Sequence, residues 1–215
     1  MADKTDQSNR RSPSKAILQS CLFSIPIILG ILFYIYPQQS SFPQASVTNG
    51  TYSGYSNKYY STDHFLGIPY AQPPVGDLRF RVPQSLRKTW TGVREATAYG
   101  PTCVGYGEDT VLAIGDYVSE DCLTLNVIRP TGTTAQDELP VLVWIHGGGH
   151  IAGGSSDPRY NVTFIVEQSF QMGKPIVAVS LNYRVSGWGF LWSDEIVQQG
   201  VANLALRDQR FIYPQ

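Results

Sequence analysis

Three histidines and three cysteines are all that the 215 residues offer to a transition metal, and His64, His146 and His150 stand at no ligand spacing from Cys21, Cys103 or Cys122. This argues against a metal site. Charge is sparse, at 15% of residues, and nearly balanced, with 16 Lys and Arg against 17 Asp and Glu and a formal net charge of -1. No cationic field is available to hold polyphosphate, so a nucleic-acid partner is excluded. No glycine-rich run ends in Gly-Lys-Ser/Thr, which removes a phosphate cradle. There are no repeats and no low-complexity tracts. What the chain has is apolar and aromatic mass, 42% and 12% of its residues, enough for a packed core. Its length gives a soft expectation of one domain with an appendage.

The appendage is at the start. Residues 16–36 read AILQSCLFSIPIILGILFYIY without a charge, about 31 Å as a helix, which matches a bilayer core. Pro26 and Gly30 are tolerated in a span, and Tyr34 and Tyr36 suit an interfacial belt. Lys4, Arg10, Arg11 and Lys15 precede the run and no charge follows before Lys58. The positive-inside rule therefore expects residues 1–15 as a cytosolic tail, 16–36 as a transmembrane signal anchor and the rest across the membrane. A cleaved secretory signal, cut near Ala45 or another small residue, is the alternative and leaves a secreted protein. Residues 37–47 read as a linker and 48–215 as the domain. In that compartment Asn49-Gly50-Thr51 and Asn161-Val162-Thr163 are glycosylation sequons, and Asn161 also has the character of a helix N-cap. Cys21 lies in the apolar run, which leaves Cys103 and Cys122 to close a loop of about 20 residues, worth roughly 3 kcal/mol.

Within the domain, Leu123–Ile128, Val141–Ile145 and Ile176–Leu181 are short β-branched runs, and Phe164–Met172 has helical character. Strand, helix and strand make a βαβ unit with a crossover long enough to return parallel. The near absence of polar residues in Val141–Ile145 and Ile176–Leu181 predicts strands buried on both faces. Directly after the first comes His146-Gly147-Gly148-Gly149. Glycines there let the backbone take positive φ and bring N–H groups close to a bound atom. Such donors suit an oxyanion that develops in a transition state; a flexible turn is the plainer alternative.

Phe65-Leu66-Gly67-Ile68-Pro69-Tyr70-Ala71-Gln72-Pro73-Pro74-Val75-Gly76-Asp77-Leu78-Arg79-Phe80 closely resembles the opening of type B carboxylesterases, the family of fungal lipases and cholinesterases. Trp90 to Val93, Tyr99 to Pro101, Glu120 to Val127, Pro140 to Gly149 and Ser180 to Leu191 extend the resemblance in the same order. It covers about residues 48 to 210. It implies a partial α/β-hydrolase fold, a mostly parallel sheet with flanking helices, in an enzyme that cleaves carboxylic esters through an acyl-serine. By position, Gly148 and Gly149 would donate N–H groups to the oxyanion and Gly147 would shape the turn. Cys103 and Cys122 would form the first disulfide, and Arg79 with Glu120, and Arg184 with Asp208, would be structural ion pairs. The substrate would be a carboxylic ester, with no cofactor. The loop from Cys103 to Cys122 holds no tryptophan to bind a choline cation, only Tyr106 and Tyr117, which points away from choline esters.

One part of the family pattern is missing. The nucleophile of this fold sits on a Gly-x-Ser-x-Gly elbow, followed along the chain by an acid and a histidine. The 215 residues contain no Gly-x-Ser-x-Gly: Ser56 is followed two positions on by Lys58, Ser155 by Asp157 and Ser156 by Pro158. No triad residue is assigned, and His146 and His150 read as loop residues flanking the glycines. His150 either lines the acyl pocket or is a solvated loop residue. The expectation is the N-terminal portion of a membrane-tethered ester hydrolase, inactive without its triad. The alternatives are a non-catalytic carboxylesterase-like adhesion or binding protein, and a truncated product without function.

Overall fold

A computed structural model describes residues 42–106 and 117–213. The tail 1–15, the apolar run 16–36 and the start of the linker lie outside the described residues. Among those described, no helix is long and apolar enough to cross a membrane.

In chain order the strands are β1 (Gln44–Val47), β2 (Gly50–Ser53), β3 (Tyr55–Asn57), β4 (Thr62–Pro69), β5 (Val93–Glu95), β6 (Thr102–Cys103), β7 (Val118–Ser119), β8 (Thr124–Pro130), β9 (Val141–Ile145) and β10 (Val177–Leu181). The helices are α1 (Thr163–Gln171), α2 (Ser186–Phe190), α3 (Asp194–Gln198) and α4 (Leu204–Phe211). The class is α/β. The main sheet has five strands in the order β3-β4-β8-β10-β9, beside a small β1-β2-β5 sheet and a β6-β7 pair.

Three expectations change. In the main sheet only β9 and β10 pair in parallel, whereas β3/β4, β4/β8 and β8/β10 are antiparallel, so these residues do not form a mostly parallel sheet. The cause lies in the connections. A parallel neighbour needs a crossover of a dozen residues or more, usually through a helix; α1 supplies one between β9 and β10, and β3 reaches β4 through a tight turn. Second, β9 is not buried on both faces. It pairs only with β10, and Val141 and Ile145 are 59% and 38% exposed. Third, ordered structure begins ahead of Thr48. β1 occupies Gln44–Val47, inside the stretch read as linker, and pairs antiparallel with β2, while Gly54 N–H bonds the Pro43 carbonyl at 2.9 Å.

Strand β8 organises the rest. Its burial alternates strictly, with Thr124, Asn126, Ile128 and Pro130 inside. On one side Ile128 packs with Val162, Val166 and Ala178 under α1. Elsewhere Tyr52, Phe65 and Ala96 cluster against Trp90, Ile68 and Val127. The β4/β8 register slips between Phe65 and Ile68, where Gly67 takes φ +67° and a Cβ would press on the Ala98 carbonyl at 2.5 Å. Only glycine fits such a bulge without strain, and Asn126 Oδ1 accepts the Gly67 N–H at 2.9 Å.

A third cluster joins Cys103, Cys122, Leu123, Tyr183, Val185 and Ala205, and the two cysteines form a disulfide with Cα atoms 5.1 Å apart. Beside it Arg79 and Glu120 pair at 2.6 Å, with Arg79 half exposed. Deeper in, Arg184 donates to both oxygens of Asp208, at 2.8 and 2.7 Å, and its backbone N–H adds a third bond at 3.1 Å. Burial pushes the Asp208 carboxyl up from its ordinary value, and the Arg184 bonds oppose that. Removing one partner of such a buried pair typically costs about 3–5 kcal/mol.

Two outcomes are expected. An edge strand with exposed apolar residues templates pairing with another chain, so the purified 37–215 polypeptide should self-associate and Val141→Lys should shift it toward monomer in sedimentation velocity. A monomeric parent with a cooperative thermal transition would contradict this. In the Val141→Lys background, Asp208→Asn should lower the denaturant midpoint far more than Glu120→Gln, because Arg184 is buried and Arg79 is not.

Candidate active site

Strand β9 ends at Ile145 and delivers His146 to the interior and Gly147–His150 to the surface. The three carbonyls that follow the strand are each held. The His146 carbonyl accepts from the Tyr183 hydroxyl at 2.9 Å. The Gly147 carbonyl accepts from His146 Nδ1 at 2.9 Å. The Gly148 carbonyl accepts from the N–H groups of Ile151 and Ala152 at 3.1 and 3.2 Å. In a trans peptide the C=O and the next N–H point in opposite directions, and no peptide here is cis. Holding three carbonyls therefore aims three N–H groups, those of Gly147, Gly148 and Gly149, the other way. Among the described residues none of these N–H groups has an acceptor. A row of exposed, pre-aimed N–H groups can receive an anionic oxygen without reorganising.

The glycines are required by the shape of the loop. Gly148 has φ +123° and a Cβ there would collide with the Ala152 carbonyl; Gly149 has φ +62°. On the return arm Gly153 has φ +108°, and a Cβ would meet His146 Nδ1 at 2.7 Å, so its missing side chain is the space the imidazole occupies.

His146 does not flank the glycines as a loop residue. It is buried beneath them, stacked on Tyr183 with ring centroids 4.4 Å apart. A bond to a carbonyl requires a proton on Nδ1, which leaves Nε2 as the bare nitrogen, buried and without a partner. Burial pushes the imidazole pKa down, opposed by the Gly147 carbonyl and by Asp157, so the neutral ring is favoured. Asp157 is held below its ordinary value, chiefly by hydrogen bonds from Arg159. His150, at φ +65°, is exposed and lies flat on Phe190 with centroids 4.7 Å apart.

The return arm is tied down by a buried polar network. Ser155 N–H donates to Asn182 Oδ1 at 2.8 Å, and Asn182 Nδ2 donates to the Pro101 carbonyl at 2.8 Å. Asn126 Nδ2 donates to the hydroxyls of Ser155 and Ser180 at 2.9 and 3.1 Å. Asn126, Ser155, Asn182 and Tyr183 were not singled out as site residues from the sequence. Only Asn126 carried a signal, since an asparagine in an otherwise apolar strand must find a buried partner.

The other expected positions fall elsewhere. Cys103, Cys122, Arg79, Glu120, Arg184 and Asp208 brace the neighbouring core. Asn49 and Asn161 stand in separate turns. Among the described residues no group of histidines, cysteines and carboxylates could hold a metal.

Known proteins resemble this chain in sequence and in fold. The carboxylesterase family model matches residues 41–211. Lipase 2 of Diutina rugosa is 42% identical over 187 residues, which cover 78% of this chain and 33% of the lipase. The inactive carboxylesterase-like protein VdtD of Byssochlamys spectabilis is 36% identical over 168 residues, covering 76% of this chain and 28% of its own. Among solved structures, Aspergillus niger EstA superposes with a TM-score of 0.69 at 39% identity, over 81% of this chain and 32% of EstA. The chain thus spans about a third of the length of the curated relatives it matches. By the family match, the identity to these relatives and the shared fold, this chain belongs to the type B carboxylesterase family.

Proposed function

We propose that this chain supplies the oxyanion-binding portion of a serine-type carboxylic-ester hydrolase of α/β-hydrolase fold. The observation that carries the reading is the set of three consecutive N–H groups, without an acceptor among the described residues, that three anchored carbonyls leave. In acyl transfer the carbonyl oxygen of the substrate gains negative charge as the tetrahedral intermediate forms, and donors already in place stabilise that charge more than they stabilise the neutral ester. Gly148 and Gly149 are the donors, Gly147 shapes the turn, and His146 with Tyr183 positions the peptide planes. Neither group of that pair touches substrate. The ester bond itself needs a nucleophile, and no Gly-x-Ser-x-Gly occurs in the 215 residues. The polypeptide of this sequence therefore holds donors and no activated serine.

We further propose that residues 16–36 anchor the chain in a membrane, with 1–15 in the cytosol and the folded unit on the lumenal or extracellular side. Support comes from the charge-free run and the cations ahead of it. A second reading, a non-catalytic carboxylesterase-like binding protein, is supported by a relative that bears the word inactive in its name.

The discriminating experiment is to sequence the transcript across codon 215, express its longest product and assay hydrolysis of p-nitrophenyl esters. A frame that runs into a Gly-x-Ser-x-Gly elbow and an active product support the hydrolase; a frame that stops at Gln215 supports the binding protein. In an active product, Gly148→Ala keeps the N–H but drives a Cβ into the Ala152 carbonyl, so the donor is displaced and kcat should fall by about 100-fold or more, the usual effect of losing an oxyanion donor. His146→Phe keeps the stack on Tyr183 but removes the Nδ1 bond, and should lower kcat with KM little changed. A fluorophosphonate probe should leave the purified 215-residue polypeptide unlabelled, and stoichiometric labelling of any of its serines would sink the assignment.

A further inference from the structure

The two sequons meet different fates in the fold. Asn49 lies half-buried in the turn between β1 and β2, with its side chain against the 86–88 segment. Nδ2 donates to the Leu86 carbonyl at 3.3 Å and to the Lys88 carbonyl at 3.0 Å. Its backbone carbonyl accepts from Trp90 N–H at 2.9 Å. Trp90 in turn packs where a Cβ on Gly50 would be, with its Nε1 2.5 Å from that position. The Asn49 amide therefore clamps the 86–90 segment to the first hairpin. An amide nitrogen has two hydrogens, and the clamp uses both. A sugar on Nδ2 replaces one of them and sets a bulky group against the 86–88 backbone.

Asn161 is arranged the other way. It is exposed, in the bend ahead of α1. Its Oδ1 accepts the Thr163 N–H at 3.1 Å, as an N-cap does, although the helix itself is entered through Val162. Among the described residues its Nδ2 meets no acceptor. Helix capping takes the oxygen and a glycan would take the nitrogen, so one side chain serves both without conflict. Thr163 is buried in the finished fold, which means the sequon is read before α1 closes. What the fold then decides is which glycosylated chain can still complete it.

We propose that in the folded chain Asn161 carries the N-linked glycan and Asn49 is unmodified, because a chain glycosylated at Asn49 loses the clamp on residues 86–90 and does not complete the fold. This rests on the lumenal placement of the folded unit proposed above, and the test separates the two.

The full chain is expressed in eukaryotic cells with a short sequon tag at its C-terminus, the protease-resistant folded fraction is isolated, and glycans on it are counted by the gel shift on enzymatic deglycosylation. Asn161→Asp abolishes that sequon while keeping an oxygen for the Thr163 N–H. Thr51→Ala abolishes the other while leaving Asn49 intact. The parent should shift by two steps, Asn161→Asp by one and Thr51→Ala by two. A step lost in Thr51→Ala, or none lost in Asn161→Asp, overturns the proposal while a modified tag keeps the topology. An unmodified tag places the folded unit on the cytosolic side, and both readings then fall together.

Discussion

The buried pair of Arg184 and Asp208 is the constraint around which this end of the molecule is arranged. A guanidinium and a carboxylate with almost no exposure are tolerable only when every charge is met. Arg184 meets it with two bonds to Asp208 and a third, at 2.8 Å, to the Arg81 carbonyl. That requirement fixes α4 against the end of β10 and draws in the segment after Arg79. The close approach of α2 to the same backbone is permitted by Gly189, since a Cβ there would collide with the Arg184 carbonyl and lie 2.9 Å from Ala205 Cβ. Tyr183, the residue before Arg184, is held by the same arrangement. From there its ring and hydroxyl reach the glycine loop.

The disulfide, the ion pair and the Asn126–Ser155–Asn182 network divide the work by location. The disulfide ties the end of β6 to the residues just ahead of β8. The network satisfies polar atoms that the bulge at Gly67 and the return arm at Ser155 would leave unpaired, which is costly in a low-dielectric interior. In both places a glycine lets the backbone approach and an asparagine fills the hydrogen bonds that the approach exposes.

Some of this was legible in the sequence for physical reasons. Val141–Ile145 and Ile176–Leu181 are short β-branched runs that favour extended backbone, and just ahead of the helix between them stands an asparagine whose oxygen accepts the Thr163 N–H. The sheet direction was not legible, because it depends on how β4 returns to β8, and the chain between them lacks a periodic helix to announce the path. The β1 strand hid in a polar composition that reads equally well as linker. Burial of His146 depends on Tyr183, 37 residues further on, and nothing in a His-Gly-Gly-Gly string announces a ring waiting beneath it. The glycines themselves were visible because each one marks a backbone geometry that other residues avoid.

The free N–H row has a thermodynamic consequence. Its donors are aimed by hydrogen bonds that exist only when β9, β10 and the return arm are folded together, so an unfolded chain presents no such row. Any anion that occupies it must bind the folded state in preference to the unfolded one, and linkage then makes that anion a stabiliser of the whole unit, by an amount that grows with the logarithm of its concentration above Kd. The loop and the fold are one equilibrium seen from two ends.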